Sequence, residues 1–296
     1  RYRAMATWMV HPLVWTQASG RKSLVLGTHA DEIEGMSIPA GRALLTEFDA
    51  NRNWRTTRLV DADRAGDPGR VLWDLSTHEL YANPGSPQGR VLPNGARVLR
   101  EEGGALFLNG NGASPQGDRP FLDRYDLASG QTVRLFRSDA AALERAVGFA
   151  GGDTSKLLTW HQSPADPPNL FLRTLGQAQA DAATGEAAYA STPVAITRFP
   201  DPAPLARGVN KRLVKYPRKD GVELSFTLYT PPGYQEGTRV PAILYAYPQD
   251  YADPSKAGQV SGSEQTFTRL SNYRLLLLAG YAIIDNAAFP IVGDPK

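Results

Sequence analysis

From its start to about Pro204 the chain is a series of short apolar runs, each broken within a few residues by Gly, Pro, Asn or Asp, with almost no helical period. Brief apolar stretches bounded by turn formers predict strands, and many in series predict an all-β array. One strand–turn–strand unit recurs: residues 121–127, the turn Ala128-Ser129-Gly130 and residues 131–136 form one copy. Residues 44–48 with 54–60, and 169–174 with 193–199, form two more. Units of about 40–50 residues fit the blades of a β-propeller, about four of them over this length. A β-sandwich has equally short strands and stays open on pattern alone. The Ala-rich stretch 177–191 reads as a flexible loop inside the last hairpin.

Pro200, Pro202 and Pro204, two residues apart, can sustain neither a helix nor a strand ladder, so a domain boundary is expected there. Residues 1–204 are then a partial propeller and 205–296 the start of a different domain. Residues 212–216 and 223–230 flank the turn Arg218-Lys219-Asp220-Gly221 as a hairpin, with Leu224, Phe226 and Leu228 on one face. Pro231-Pro232-Gly233 ends it. Residues 242–247 form a short apolar strand, followed by a loop to about Gly262. From Ser263 the pattern predicts a helix: Phe267, Leu270, Arg274, Leu277 and Leu278 fall close together on a wheel, and Gly280 is placed to stop it. Residues 281–285 supply the next strand. Hairpin, strand, loop, helix and strand is the order in which an α/β-hydrolase sheet opens.

Composition narrows the function classes. The 296 residues exceed what one hydrophobic core usually fills, in keeping with two domains. A net charge of +2, from 32 basic residues spread along the chain and 30 acidic ones, provides no single-signed face for nucleic acid. The absence of cysteine excludes disulfides, iron–sulfur clusters and thiolate zinc sites within these residues and suits cytoplasm and periplasm equally. The longest apolar run, 275–284, is about half of the ~20 residues a membrane span needs, so a soluble protein is expected, its compartment open. Residues 1–8 lack the apolar core and cleavage site of a signal peptide and read as mid-protein sequence.

A hydrolase nucleophile sits on a strand-to-helix elbow written G-x-S-x-G, and no serine here has glycine two places away on both sides. The chain is therefore expected to be an enzyme fragment, inactive alone, ending before its nucleophile. Asn109-Gly110-Asn111-Gly112 is a turn rather than a phosphate cradle, since no helix follows it. Asp61, Asp63 and Asp67 lack the glycine and terminal glutamate of a calcium loop, and no metal is expected. The tryptophans 8, 15, 54, 73 and 160 read as packing residues rather than a sugar platform.

Several segments carry a family resemblance. They are Tyr216-Pro217-Arg218-Lys219-Asp220-Gly221-Val222, Thr227-Leu228-Tyr229-Thr230-Pro231-Pro232-Gly233-Tyr234, Tyr247-Pro248, the run 257–263 and Pro290-Ile291-Val292-Gly293. In the first part they are Asp74-Leu75-Ser76, the run 81–86, the run 108–117 and Pro120-Phe121-Leu122-Asp123. Together these resemble the prolyl oligopeptidase family of serine peptidases, most closely its glutamyl endopeptidase branch. The resemblance covers most of the chain and is weakest at 1–30 and 140–190.

The resemblance implies a propeller capping an α/β-hydrolase, a Ser-Asp-His triad in the order usual for that fold, and cleavage of peptides able to reach an enclosed site. It implies no cofactor, and as partners a peptide substrate and the remainder of the hydrolase domain, with no nucleic acid or membrane. All three triad residues are expected past Lys296, because His11, His29, His78 and His161 sit in the propeller part, where packing or surface roles are the plainer reading. The resemblance makes Tyr247 a donor to the oxyanion; the alternative is a core tyrosine ending a strand. Gln249 and Asp250 follow the Tyr-Pro pair where the family commonly has glycine, leaving the local loop geometry open. Asp250, Tyr251 and Arg269 are the candidate substrate-binding residues. Cleavage after glutamate needs a cation in the pocket; Arg269, Arg274 and Lys256 are candidates by chain proximity, with solvated surface as the plainer reading of each. A noncatalytic propeller module that binds peptides or partner proteins is the rival reading; a lipase or esterase would lack the first 200 residues.

Overall fold

A computed structural model describes residues 14–16, 22–24, 33–37, 41–64, 66–179, 186–251, 254–270 and 272–292. The expectations for residues 1–8, His11, His29 and Trp8 lie outside the described residues, as does the side chain of Trp15. The fold is mostly β, built from several separate sheets. It divides into two compact units: Arg1–Thr77, Ser86–Leu108 and Tyr125–Gln131 in one, His78–Gly85, Asn109–Arg124 and Thr132–Lys296 in the other. The proline-rich segment 200–204 lies inside the second unit.

In the first unit β1 (Val14–Thr16) pairs with β2 (Lys22–Leu24). An antiparallel meander follows, of β3 (Ile33–Ser37), β4 (Arg42–Asp49), β5 (Trp54–Asp61) and β6 (Arg70–Ser76). The β4–β5 hairpin forms where the alternation places it: Asp49 accepts hydrogen bonds from the amides of Asn51 and Arg52 to close the turn, and Thr46 and Thr57 join their hydroxyls across the strands at 3.2 Å. Next come β7 (Ser86–Pro87), the pair β8 (Gly89–Val91) and β9 (Arg97–Leu99), and β10 (Glu101–Glu102). Two strands, β11 (Ala105–Gly110) and β12 (Phe121–Asp126), run through both units. The core of the first unit is Leu44, Leu99, Leu106, Leu108, Tyr125 and Leu127, with Trp73 packed against it. Trp73 thus fills the packing role expected of it.

In the second unit β12 is followed in its sheet by β13 (Thr132–Arg137). The meander β14 (Leu143–Phe149), β15 (Lys156–Gln162), β16 (Asn169–Ala178), β17 (Tyr189–Ala195) comes next. The strands of β16 and β17 take both ends of the stretch expected to be loop, and residues 180–185 of it lie outside the described residues. At the centre of this meander Glu144, 1% exposed, receives two hydrogen bonds of 2.6 Å from Arg173 and a third from Thr159, while Arg173 also reaches Ser191. Packing residues are what His161 and His78 become, against the rings of Phe171 and Tyr251.

The last sheet has the order β18–β19–β21–β20, from β18 (Asn210–Pro217), β19 (Glu223–Thr230), β20 (Ala242–Tyr251) and β21 (Ala282–Val292). The hairpin β18–β19 is antiparallel, and β20 and β21 run parallel. Tyr229, Leu277 and Ile283 form its core, with Ile243 and Leu270 packed against them. Parallel neighbours need a crossover, and here the crossover departs from expectation.

The helix expected from Ser263 is absent: the chain runs without helix through the described residues to Leu270, and a 3-10 segment spans Asn272–Ala279. Among the described residues the helical segments are short 3-10 turns. The cause is tertiary. The carbonyl of Thr266 accepts from Lys211, the amide of Phe267 donates to the Gln162 side chain at 3.0 Å, and the carbonyl of Thr268 accepts from Arg207 at 3.0 Å. Ser263 and Thr266 also bond to backbone groups within three residues, a competition that disfavours helix. Phe267 and Leu277 are still buried, as the apolar spacing requires, but Leu278 is exposed.

Candidate functional site

Tyr247 lies on β20 opposite Ala288 of β21, towards the carboxyl ends of two parallel strands, where open α/β sheets characteristically bind ligands. Its side chain is 76% exposed.

A bulge sets the direction of these strand ends. The register passes from Leu244 opposite Ile284 to Ala246 opposite Ala287, so Asp285 and Asn286 together face Tyr245. Asn286 has φ of 50°, in the left-handed region that asparagine tolerates better than most residues. Asp285, 5% exposed, anchors the bulge: it accepts from Arg274 at 2.6 Å, from the Tyr273 hydroxyl at 3.0 Å and from the amide of Asn286 at 2.8 Å. Arg274 lies over the ring of Tyr229, and Tyr273 stacks on Tyr245 at 5.0 Å.

Beyond the bulge a cleft of about 100 Å³ is lined by Ser225, Tyr245, Tyr247, Tyr251, Gly258, Gln259, Ser261 and the run from Asn286 to Pro290. These side chains offer hydroxyls and amides around apolar surface, and no charged group is among the described lining residues. Burial pushes the Tyr251 hydroxyl's pKa up, so it is a neutral donor at ordinary pH. The arrangement suits a neutral, hydrogen-bonding ligand such as a peptide backbone.

The structure brings Tyr247 and Tyr251 together in this cleft. Asp250 stands between them in sequence on β20, opposite Ile291, with its side chain outside the described residues. Arg269 is exposed and not among the lining residues. Two of the cations considered for an acidic ligand are committed elsewhere: Arg274 to Asp285 and Lys256 to Glu79 at 2.5 Å. Neither is the solvated surface residue that chain position suggested.

Ser225, Asp285 and Asn286 went unnoticed in the sequence, and Gln259 figured only within the run 257–263 that carries the resemblance. The polar pair Asp285-Asn286 inside the apolar run 282–288 was a readable signal, since such an interruption of a buried strand marks a bulge. Ser225 had none.

Similarity to known proteins extends over most of the chain. A probable chloroplastic glutamyl endopeptidase of Oryza sativa subsp. japonica is 31% identical over 266 residues, 82% of this chain and 27% of the relative. Its counterpart from Arabidopsis thaliana is 32% identical over 244 residues, 76% of this chain and 24% of the relative. The chain thus spans about a quarter of the length of the curated relatives it matches. No protein-family profile matches it. Among solved structures, the AtxE2 isopeptidase aligns in a variant with a bound astexin-3 derivative at 14% identity, covering 94% of this chain and 36% of the other, with a TM-score of 0.43. The apo form of that isopeptidase aligns over the same shares with a TM-score of 0.41. By its sequence similarity to the two plant proteins, the chain belongs to the peptidase family that contains the glutamyl endopeptidases.

Proposed function

We propose that this chain is part of a serine peptidase of the prolyl oligopeptidase type, with residues 1–204 contributing to a gating β-propeller and 205–296 opening an α/β-hydrolase domain. The single observation that carries this reading is the exposed Tyr247 in the carboxyl-terminal half of a parallel strand pair, inside a cleft of neutral donors. In the proposed reaction a serine oxygen attacks the substrate carbonyl while a histidine takes its proton. Tyr247 and a backbone N–H donate to the oxyanion that forms. Collapse expels the amine, protonated by the histidine, and water then releases the acyl group by the same steps. The Ser-Asp-His triad is contributed by residues outside this sequence, in which no G-x-S-x-G occurs. The role of Tyr247 is to stabilise charge that exists only in the transition state, so it acts on kcat more than on KM.

Cleavage after glutamate, the activity named for the two relatives, extends to this protein as part of the proposal. In this reading the cation that an acidic side chain requires comes from residues other than the described lining, which is neutral. The test uses the full-length protein with a fluorophosphonate probe and peptides carrying Glu or Gln at the cleaved position. Labelling, with a Tyr247→Phe variant that binds substrate normally but turns over about 100-fold more slowly, is the expected result. An unlabelled protein, or an unchanged kcat in Tyr247→Phe, overturns the reading.

A further inference from the structure

The wall of the cleft made by Gly258, Gln259 and Ser261 belongs to a segment without regular structure, yet it is gripped from two sides. On one side Gly258, at φ of 81°, lies so close to the carbonyl of Glu223 that any Cβ there would collide with it. On the other stands Glu79, distant in sequence and 6% exposed. Its carboxylate accepts from Lys256 Nζ at 2.5 Å and Gln259 Nε2 at 3.1 Å, and from the amides of Tyr81 and Ala82 at 2.9 and 3.0 Å. The grip is reciprocal. The amide of Leu80 donates to Gln259 Oε1 at 2.7 Å, and the amide of Val260 donates to the Tyr81 hydroxyl at 2.8 Å. His78, the next residue back, packs its ring on Tyr251 of the cleft at 4.6 Å.

Two of the four groups that donate to Glu79, on Lys256 and Gln259, belong to the cleft-wall segment, and the bonds from Leu80 to Gln259 and from Val260 to Tyr81 tie that segment further to the neighbours of Glu79. Gln259, held by this network, lines the cleft, as does Tyr251, on which the His78 ring packs. Lys256 is neutralised by the contact, which removes it from any role in meeting an acidic ligand.

We propose that Glu79 is a positioning residue for the Tyr247 cleft, fixing the 256–261 segment so that Gly258, Gln259 and Ser261 present their polar groups to the substrate backbone. The proposal rests on the peptidase reading of the cleft. Glu79 does not touch the reacting atoms. It determines where the binding wall stands, so its loss acts on KM while Tyr247 acts on kcat. A displacement of about 1 Å in such a wall is enough for about 100-fold in efficiency.

The test compares full-length wild type with Glu79→Gln and Glu79→Ala by peptide kinetics and by hydrogen exchange. Glu79→Gln keeps an acceptor for the two backbone amides and loses the charge facing Lys256. The expected result is a KM raised about 10-fold in Glu79→Gln and about 100-fold in Glu79→Ala, with kcat within about threefold of wild type. Amide exchange accelerates at 256–262 and not in β20 or β21. Variants with wild-type KM overturn the proposal even if they melt earlier, because a merely structural contact lowers stability without moving KM. Unchanged exchange at 256–262 overturns it as well. If wild type neither cleaves nor labels, the peptidase reading fails; accelerated exchange confined to 256–262 then still supports the hold of Glu79 on the cleft wall.

Discussion

The meander β14–β17 and the mixed sheet β18–β21 bury their polar groups to opposite ends. In the meander Glu144 faces inward and is closed off: Arg173, Thr159 and Ser191 complete a network that leaves nothing for a ligand. In the mixed sheet the comparable acid, Asp285, spends its bonds on Arg274, Tyr273 and the amide of Asn286, and so holds a bulge. At the bulge Tyr245, and past it Tyr247, Phe289 and Ile291, remain exposed. One network ends in itself; the other shapes strand ends that face outward. A buried ion pair is thus uninformative about function until what it positions is known.

The sharpest break of this contrast is Arg173→Ala. It strands the Glu144 carboxylate in the interior and should cost about 3–5 kcal/mol of stability, read as a fall in the denaturant midpoint, while kcat and KM of the molecules that remain folded are unchanged. Tyr247→Phe should behave in the opposite way, with kcat down by about 3 kcal/mol of transition-state stabilisation and no change in melting temperature. If Arg173→Ala also lowers kcat in folded protein, the meander is coupled to the site and the contrast fails.

Asn286 sharpens the role of the bulge. Asn286→Gly should be nearly neutral, whereas Asn286→Ala, forced to φ of 50°, should lose about 1 kcal/mol, measured by chemical denaturation. Equal stability of the two variants would mean that the left-handed backbone does not constrain this position.

The smallest effect concerns acid. Burial works to raise the Glu79 pKa, but hydrogen bonds from Lys256, Ala82 and Gln259, with the Lys256 charge, hold it at about 2. A carboxylate depressed in the folded state contributes stability that is complete above its unfolded value of about 4.5 and fades as pH falls towards 2. Wild type should therefore lose part of its stability across that window, and Glu79→Gln should lose less. Parallel pH curves for the two proteins would remove Glu79 from the account of acid sensitivity.

Much of the strand map was legible from alternation and turn residues. The hairpins β4–β5, β12–β13 and β18–β19 fall where the apolar runs and the turns at Asp49, Ser129-Gly130 and Asp220-Gly221 place them. Tyr247 stood out through its segment's family resemblance, although its strand runs on to Tyr251, and the lack of a nucleophile elbow was readable at once. These are local properties: a strand needs only residues two apart to agree, and a turn only four residues. The helix from Ser263 was a local inference that tertiary structure reversed, because Lys211, Gln162 and Arg207 take backbone groups of Thr266, Phe267 and Thr268. The same holds for Lys256 and Arg274, whose partners Glu79 and Asp285 no spacing rule connects to them. Sequence by itself determined the main hairpins and drew attention to Tyr247, though not how far its strand runs. Tertiary structure alone decided where the crossover unwinds, which cations are spent and how the cleft wall is held, because bonds between residues far apart in sequence leave no period along the chain.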